Sequence, residues 1–256
     1  MEINLHPQYA EGYKSRSQIA RRLTESWAAD NLYCPRCGKK PIEHFPNNRA
    51  VADFFCPVCQ HEFEMKSKNG KIGKKVADGA YDTFIKRITA NNNPDFFFMN
   101  YSYQDLCVND LWFVPAFFFV PSIVEKRKPL GKNAQRANWV GCNILFDDIP
   151  AQGKIAILLQ RQIRDQDEVM KDIASAEKLQ TNNIEARGWM LDVLFCINKV
   201  GKKDFTLEDM YCFEKHLQGK YPANHNIRPK IRQQLQQLRD RGIIEFVGRG
   251  NYRRIY

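Results

Sequence analysis

Four cysteines in two pairs, Cys34-Pro-Arg-Cys37 and Cys56-Pro-Val-Cys59, constrain the fold of this chain more than any other feature. A two-residue spacer lets both sulfurs of a pair reach one tetrahedral ion. The 18 residues between the pairs lie within the range of four-cysteine zinc sites. Gly38 follows the first pair, where a tight turn must aim backbone amides at the sulfurs. Disulfides or a redox Cys-x-x-Cys are the alternatives. The opening Met1-Glu2-Ile3-Asn4 is neither basic nor followed by an apolar run, so no secretory leader is expected. A reducing cytoplasm is then the expected location, and it disfavours disulfides. A structural Zn2+ held by Cys34, Cys37, Cys56 and Cys59 is therefore expected, with His44 and His61 left outside it. Cys107, Cys142, Cys196 and Cys212 stand singly among apolar residues and read as small buried hydrophobes.

The chain has 256 residues, enough for one large domain or two smaller ones, and 43% of them are hydrophobic, as in a globular protein. No apolar run approaches the ~18 residues that would span a bilayer. Lys and Arg number 39 against 29 acids, a net charge of +10 with a pI near 9.2. A balance this basic points to a polyanionic partner, of which nucleic acid is the usual one.

The pattern divides the chain at residues 183/184. Residues 1–183 mix helix and strand. Ile19, Leu23 and Trp27 repeat every four residues and predict an opening helix over Ser15–Trp27. Ala50–Phe55 and Phe63–Lys66 read as short strands, and Asp78–Ala90 as a helix. Phe96–Tyr101 and Leu111–Pro115 are apolar enough for the middle of a sheet, with Trp139–Ile144 and Gly153–Leu159 as further strands.

Residues 184–256 read as three helices and a hairpin. Gly188–Val200 is apolar at helical spacing. Thr206 with Asp209 in place of the usual Glu reads as a capping-box-like start, Asn226 caps Ile227–Arg241, and Gly242 ends that helix. Ile243–Val247, a turn at Gly248-Arg249-Gly250 and Tyr252–Tyr256 complete a hairpin. That is the layout of a winged helix. From Asn226 to Tyr256 there are eight Arg or Lys against two acids, placed on the groove-reading helix and the wing, which favours DNA binding.

Chemistry enters between and beyond the cysteine pairs. On a strand, Glu64 and Lys66 face the same side, about 7 Å apart, and Asp53 can join them from a neighbouring strand. Two carboxylates suit a hard ion such as Mg2+, which polarises a phosphate and activates water. Lys66 would orient or deprotonate that water, or neutralise charge at phosphorus. As a bare pattern, Asp-x10-Glu-x-Lys is weak, and a surface ion-pair strand produces it too.

With these residues in view, the chain resembles the DpnI-type methyl-directed restriction endonucleases, within the PD-(D/E)xK nuclease superfamily. The resemblance rests on Tyr33-Cys-Pro-Arg-Cys-Gly38, Asn48-Arg-Ala-Val-Ala-Asp-Phe-Phe-Cys56, Glu62-Phe-Glu-Met-Lys-Ser-Lys68, Asp78-Gly-Ala-Tyr81, Asn91-Asn-Asn-Pro-Asp-Phe-Phe-Phe98 and Trp139-Val-Gly-Cys-Asn-Ile144. Phe205-Thr-Leu-Glu-Asp-Met-Tyr211, Lys230-Ile-Arg-Gln-Gln-Leu235 and Ile243-Ile-Glu-Phe-Val-Gly-Arg-Gly250 carry it through the C-terminal part. Ala52 stands before Asp53 where the superfamily usually has Pro, a position that shapes the strand and does no chemistry. The fold implied is mixed α/β: a restriction-endonuclease-like core with an embedded four-cysteine zinc site over 1–183, then a winged helix over 184–256.

The resemblance implies Mg2+-dependent hydrolysis of double-stranded DNA at GATC sites carrying N6-methyladenine. Asp53, Glu64 and the Met65 carbonyl would hold Mg2+, and Lys66 would complete the motif. It also singles out Trp139, beyond the basic Lys126-Arg-Lys128 and Gln135-Arg136, as a reader of methyl groups, with Arg136 beside it. Burying one methyl stabilises by roughly 0.8 kcal/mol, so strong selectivity needs several methyl contacts or two reading domains. Asn226, Ile227, Arg228 and Lys230 are expected to meet bases or methyls in the major groove, and Arg249, Arg253 and Arg254 to hold phosphates. A monomer is expected, since no heptad seam is visible. Two rival readings remain: a zinc-stabilised winged-helix regulator that binds without cutting, and a nuclease of the same superfamily with another DNA substrate.

Overall fold

The computed structural model describes residues 1–45 and 52–256. Its elements in chain order are α1 (Arg16–Asn31), β1 (Glu43–His44), β2 (Phe54–Phe55), β3 (Glu62–Asn69), β4 (Val76–Ala80), α2 (Tyr81–Thr89), β5 (Asp95–Ser102), β6 (Cys107–Val114), β7 (Val124–Lys126), β8 (Gly141–Ile144), β9 (Ile155–Leu159), β10 (Gln162–Ile163) and α3 (Gln166–Glu177). There follow α4 (Ile184–Val200), β11 (Asp204–Thr206), α5 (Leu207–Tyr211), α6 (Glu214–Lys220), α7 (Ile227–Asp240), β12 (Ile244–Gly248) and β13 (Asn251–Arg254). No helix among the described residues is long and apolar enough to cross a membrane.

The large sheet runs β1-β2-β3-β5-β6-β9-β10. Among the described residues only the β3–β5 pair is parallel, because β4 and α2 carry the chain back to the same end between them. β5 is buried on both faces, and Phe96, Phe97, Phe98 and Met99 are fully enclosed. That explains its unbroken apolar sequence, since a central strand covered on both sides has no polar face to alternate with. Trp27 of α1 and Phe84 of α2 also lie in this core.

A second sheet, β4-β8-β7, stands apart from the large one. It overturns the expected helix over Asp78–Ala90. The helical periodicity of Phe84 and Ile88 holds only from Tyr81, while Val76–Ala80 pairs with β8, Asp78 lying opposite Cys142. The ladder slips between Asp78 and Ala80, an irregularity of the kind that re-aims a side chain. Of the strand expected at Ala50–Phe55, Ala50 and Val51 lie outside the described residues, and Phe54–Phe55 forms β2.

In the C-terminal part, α4, α5, α6 and α7 pack around Trp189, Leu194, Ile231, Leu235 and Leu238. The capping box of Thr206 and Asp209 forms as read. Asn226 occupies the cap position of α7, but its side chain makes no capping bond; its carbonyl accepts from the Lys230 amide at 3.0 Å. The hairpin β12–β13 gains a third strand, β11, which the sequence reading passed over. Cys212 is exposed, unlike Cys107, Cys142 and Cys196, which are buried as expected.

α4 also faces residues before it in the sequence. Asp192, on α4, is 1% exposed and accepts from Lys220 Nζ at 2.8 Å, while Lys220 also reaches Asp148 at 3.1 Å. The Tyr221 hydroxyl donates to the other Asp192 oxygen at 2.6 Å, and its ring stacks on Trp189 with centroids 3.7 Å apart.

Candidate active site and metal centre

The four cysteine sulfurs gather as the spacing requires, all within 4.8 Å of one another. Cys34 and Cys59 lie 3.5 Å apart and Cys37 and Cys56 3.6 Å, near the edge of about 3.8 Å expected for a tetrahedron with bonds of ~2.3 Å. The donor set is thus compatible with zinc. Each knuckle closes in the same way: the Gly38 amide donates to the Cys34 carbonyl at 2.8 Å, and the Gln60 amide to the Cys56 carbonyl at 2.9 Å. Gly38 has φ +73°, and Gln60 reaches φ 62° without glycine's freedom, at a cost of about 1 kcal/mol. Burial opposes the Cys56 thiolate, but the Cys59 and Val58 amides outweigh it and bring the thiol down to about 7. Arg36, between Cys34 and Cys37, forks onto Asp95 with two bonds of 2.7 Å and also pairs with Glu177, docking the knuckle on the start of β5.

The acidic cluster sits where β2 meets β3. The Asp53 amide donates to the Phe63 carbonyl at 2.9 Å, extending the β2–β3 ladder, and the Asp53 carboxylate accepts from the Met65 amide at 2.8 Å. Alternation along β3 sends Phe63 into the aromatic core against Phe97, and Glu64 and Lys66 to the opposite face. There Lys66 Nζ contacts Glu64 Oε1 and lies 2.5 Å from Asp78 Oδ1. Asp78 is 6% exposed and comes from β4. The sequence pattern does not reveal it, because the helical spacing of Phe84 and Ile88 runs back over Asp78 and its place opposite Lys66 depends on β4 pairing with β8. From α1, Glu25 comes close enough to Asp53 to act on it by charge, and beside Lys66 a space of about 520 Å3 opens, lined by Arg21, Glu25, Met65, Lys66, Lys68 and Lys75 but not by Asp53, Glu64 or Asp78. Glu25 binds Arg21 at 2.8 Å and His44 Nε2 at 3.0 Å.

Charge in this cluster is unbalanced. Burial pushes the Glu64 carboxyl up to about 7; Lys66 opposes that shift, and Asp78 and Asp53 add to it. Burial likewise raises Asp53, against the Met65 amide that favours its ionised form. Lys66 resists its own burial because Glu64 and Asp78 hold the ammonium, so its pKa lies above the ordinary lysine value. Three partly buried acids against one lysine make a site that a hard divalent cation fits.

Trp139 is half-buried at the mouth of β8, at the end of a basic loop that holds the exposed Arg136. Its indole lies over Gly141, so close that a Cβ there would sit 2.7 Å from the ring. The loop is tied back by Arg127 to Gly141 at 2.9 Å and by Leu130 to Trp139 at 3.0 Å, amide to carbonyl in each case. The Tyr81 amide donates to the Val140 carbonyl at 3.0 Å. Asp78 thus lies on β4 of the small sheet, and Trp139 just before its strand β8.

The residues expected to meet DNA in the C-terminal part divide sharply. Ile227 is 3% exposed and anchors α7 in the core with Ile231, Leu235 and Leu238, so it does not face a groove. Lys230 is half-buried with its Nζ 5.6 Å from the Trp189 ring centroid. Asn226 is exposed; Arg228 is exposed but bonded to Glu214 at 2.8 Å. On the wing, Arg249 is exposed at the turn, whereas Arg253 pairs with Asp204 at 2.6 Å and Glu245 at 3.4 Å, and Arg254 lies against Tyr256. The solvent face of α7 also carries Pro229, Arg232, Gln233, Gln236 and Arg239. The apolar stripe on the other side of the helix was enough to find them.

Two family models match this sequence. Residues 1–182 match the DpnI family, described as the Dam-replacing family, and residues 185–254 match the Dam-replacing helix-turn-helix domain. With the matches covering nearly the whole sequence, the chain belongs to the DpnI (Dam-replacing) family.

Proposed function

We propose that this protein is a methyl-directed restriction endonuclease. It hydrolyses double-stranded DNA at GATC sites carrying N6-methyladenine, with Mg2+ as catalytic ion and zinc as structural ion. The observation that carries the reading is the convergence of Asp53, Glu64 and Lys66 where β2 meets β3, with Lys66 lining an adjoining open cleft, in a DpnI-family chain. Residues 1–183 act as a nuclease domain of the PD-(D/E)xK type, and residues 184–256 as the winged helix.

The carboxylates of Asp53 and Glu64 and the Met65 carbonyl would hold Mg2+, which supplies Lewis acidity toward the scissile phosphate. The Met65 amide fixes Asp53 in place. Lys66 presents an ammonium at the same face, suited to hold the attacking water or to stabilise charge at phosphorus. The basic loop before β8 brings Trp139 to the duplex, where a flat apolar ring gains contact with methyl groups. In the winged helix, Asn226, Arg232, Gln233 and Gln236 face the major groove, where Gln and Asn suit adenine edges, and Arg249 holds a phosphate.

The test is a plasmid digest with adenine-methylated and unmethylated DNA, each with Mg2+ or Ca2+. Fragments from methylated DNA with Mg2+ alone are expected, and Asp53→Ala should bind methylated duplex without cutting it. Cutting of both plasmids would overturn the methyl reading. Retained binding by zinc-loaded wild-type protein, with no cutting of either plasmid, would overturn the nuclease.

A further inference from the structure

We infer that Asp78 is a positioning residue of the active site, holding the Lys66 ammonium in place when Glu64 turns its oxygens to the catalytic ion; the inference rests on the nuclease reading above. Lys66 stands between two carboxylates, Glu64 on its own strand and Asp78 on β4. The two partners have different prospects. Glu64 sits beside Asp53 and Met65 in the donor set that suits a hard cation. A carboxylate oxygen given to a divalent ion is largely withdrawn from an ammonium, because the ion's double charge competes for the same lone pairs. Asp78 is then the remaining anion against Lys66.

The fold supports that division of labour. Asp78 is 6% exposed, so water offers Lys66 little substitute for it. It arrives from a different sheet, at the ladder irregularity between Asp78 and Ala80, which turns the side chain toward β3. Its backbone is pinned opposite Cys142, and Cys142 Sγ lies 3.5 Å from the Gly79 carbonyl that it can donate to. Among the described residues, Glu64 and Asp78 bond Lys66 directly, the Phe96 ring centroid lies 5.8 Å away, and Asp53 is close enough to interact with its charge. Without Asp78, a lysine with four rotatable bonds has no directional contact left once the ion is in place, and the amine wanders from the attacking water.

Asp78→Asn tests this, since the amide keeps the shape and removes the charge. Wild type and variant are compared for zinc content and melting temperature, for affinity toward methylated duplex in Ca2+, and for single-turnover cleavage at saturating DNA in Mg2+. The expected result is unchanged affinity and a cleavage rate lower by about ten- to a hundredfold, the loss of one charge-assisted contact felt in the reaction. Acetic anhydride labelling in Mg2+, read by mass spectrometry, should modify Lys66 at least severalfold faster in the variant than in wild type, with Lys68 as internal reference. That readout does not depend on cleavage. A variant that cuts at the wild-type rate, or loses rate with Lys66 labelling unchanged, would overturn the inference while leaving the nuclease intact. Recovery of the rate by tenfold more Mg2+ would make Asp78 an ion ligand and overturn it as well. Wild-type protein that cuts no DNA would sink both readings together.

Discussion

Replacing Asp192 by Ala should loosen the join between α4 and the rest of the protein, by an amount that its contacts set. Asp192 is 1% exposed and holds two donors, Lys220 Nζ at 2.8 Å and the Tyr221 hydroxyl at 2.6 Å. Removing it strands the Tyr221 hydroxyl and leaves the largely buried Lys220 with only Asp148, which is 25% exposed and 3.1 Å away. Breaking one side of a buried pair costs about 3–5 kcal/mol, because the partner stays desolvated. At ~2–4 °C per kcal/mol for a chain of this size, the melting temperature falls by roughly 6–20 °C. Lys220→Met alone should cost a similar amount, since it leaves the buried Asp192 charge with only the Tyr221 hydroxyl. The pair Asp192→Ala with Lys220→Met buries no unmatched charge and should lose only about 1–2 kcal/mol, less than either single change. Thermal unfolding followed by tryptophan emission is a suitable assay, since Trp189 stacks on Tyr221 at the site of change. If the double variant loses the sum of the two single losses, the two residues contribute independently and the stranded-charge reasoning is wrong.

Three further outcomes follow from the same geometry. Cys56→Ser should remove the bound zinc, measured by elemental mass spectrometry, and destabilise the N-terminal part by several kcal/mol, since metal-binding free energy at such sites is folding free energy; a chelator should act on wild type in the same direction. Glu64 has its folded pKa raised to about 7 from an ordinary 4.5, so its contribution to the metal-free fold is fully present below pH 4.5 and is lost as pH rises through 7. Glu64→Gln should therefore stabilise metal-free protein by roughly 1–3 kcal/mol at pH 8 and by little at pH 4.5, and equal effects on the melting temperature at both pH values would refute the shift. Gly141→Ala puts a methyl 2.7 Å from the Trp139 ring, and it should displace the indole and narrow the ratio of methylated to unmethylated cleavage at least severalfold, with the Asp53–Met65 contact untouched.

The sequence made visible what depends on neighbours in the chain and hid what depends on distant pairing. The cysteine knuckles, the Glu64-x-Lys66 face and the Thr206 capping box are all set by offsets of two or three residues, and all appear as read. Asp78 was hidden because its place is fixed by β8, more than sixty residues away, and the helical pattern of Phe84 and Ile88 was extended too far back to include it. Ile227 is a different failure. Its position at the start of α7 suggested a groove contact, yet Ile227, Ile231, Leu235 and Leu238 form one apolar stripe that already assigned it to the core. Arg253 read as a free cation because its partners Asp204 and Glu245 meet it only when β11 and β12 flank β13.

The bridge between the second knuckle and β3 has a consequence for how this protein tolerates change in length. Cys56 and Cys59 fix one end of a short hairpin, where the Cys56 amide donates to the His61 carbonyl, and Phe63 is locked into the aromatic core a few residues on. A strand has a period of two, so one residue inserted between Cys59 and Phe63 would send Glu64 and Lys66 into the space of Phe63 and bring Phe63 to the cleft. Substitutions at the knuckle tip, such as at Val58, which is 63% exposed, leave that count alone. This stretch can therefore drift in composition while remaining closed to insertion and deletion, with the four-cysteine cluster acting as the stop against which the strand is measured.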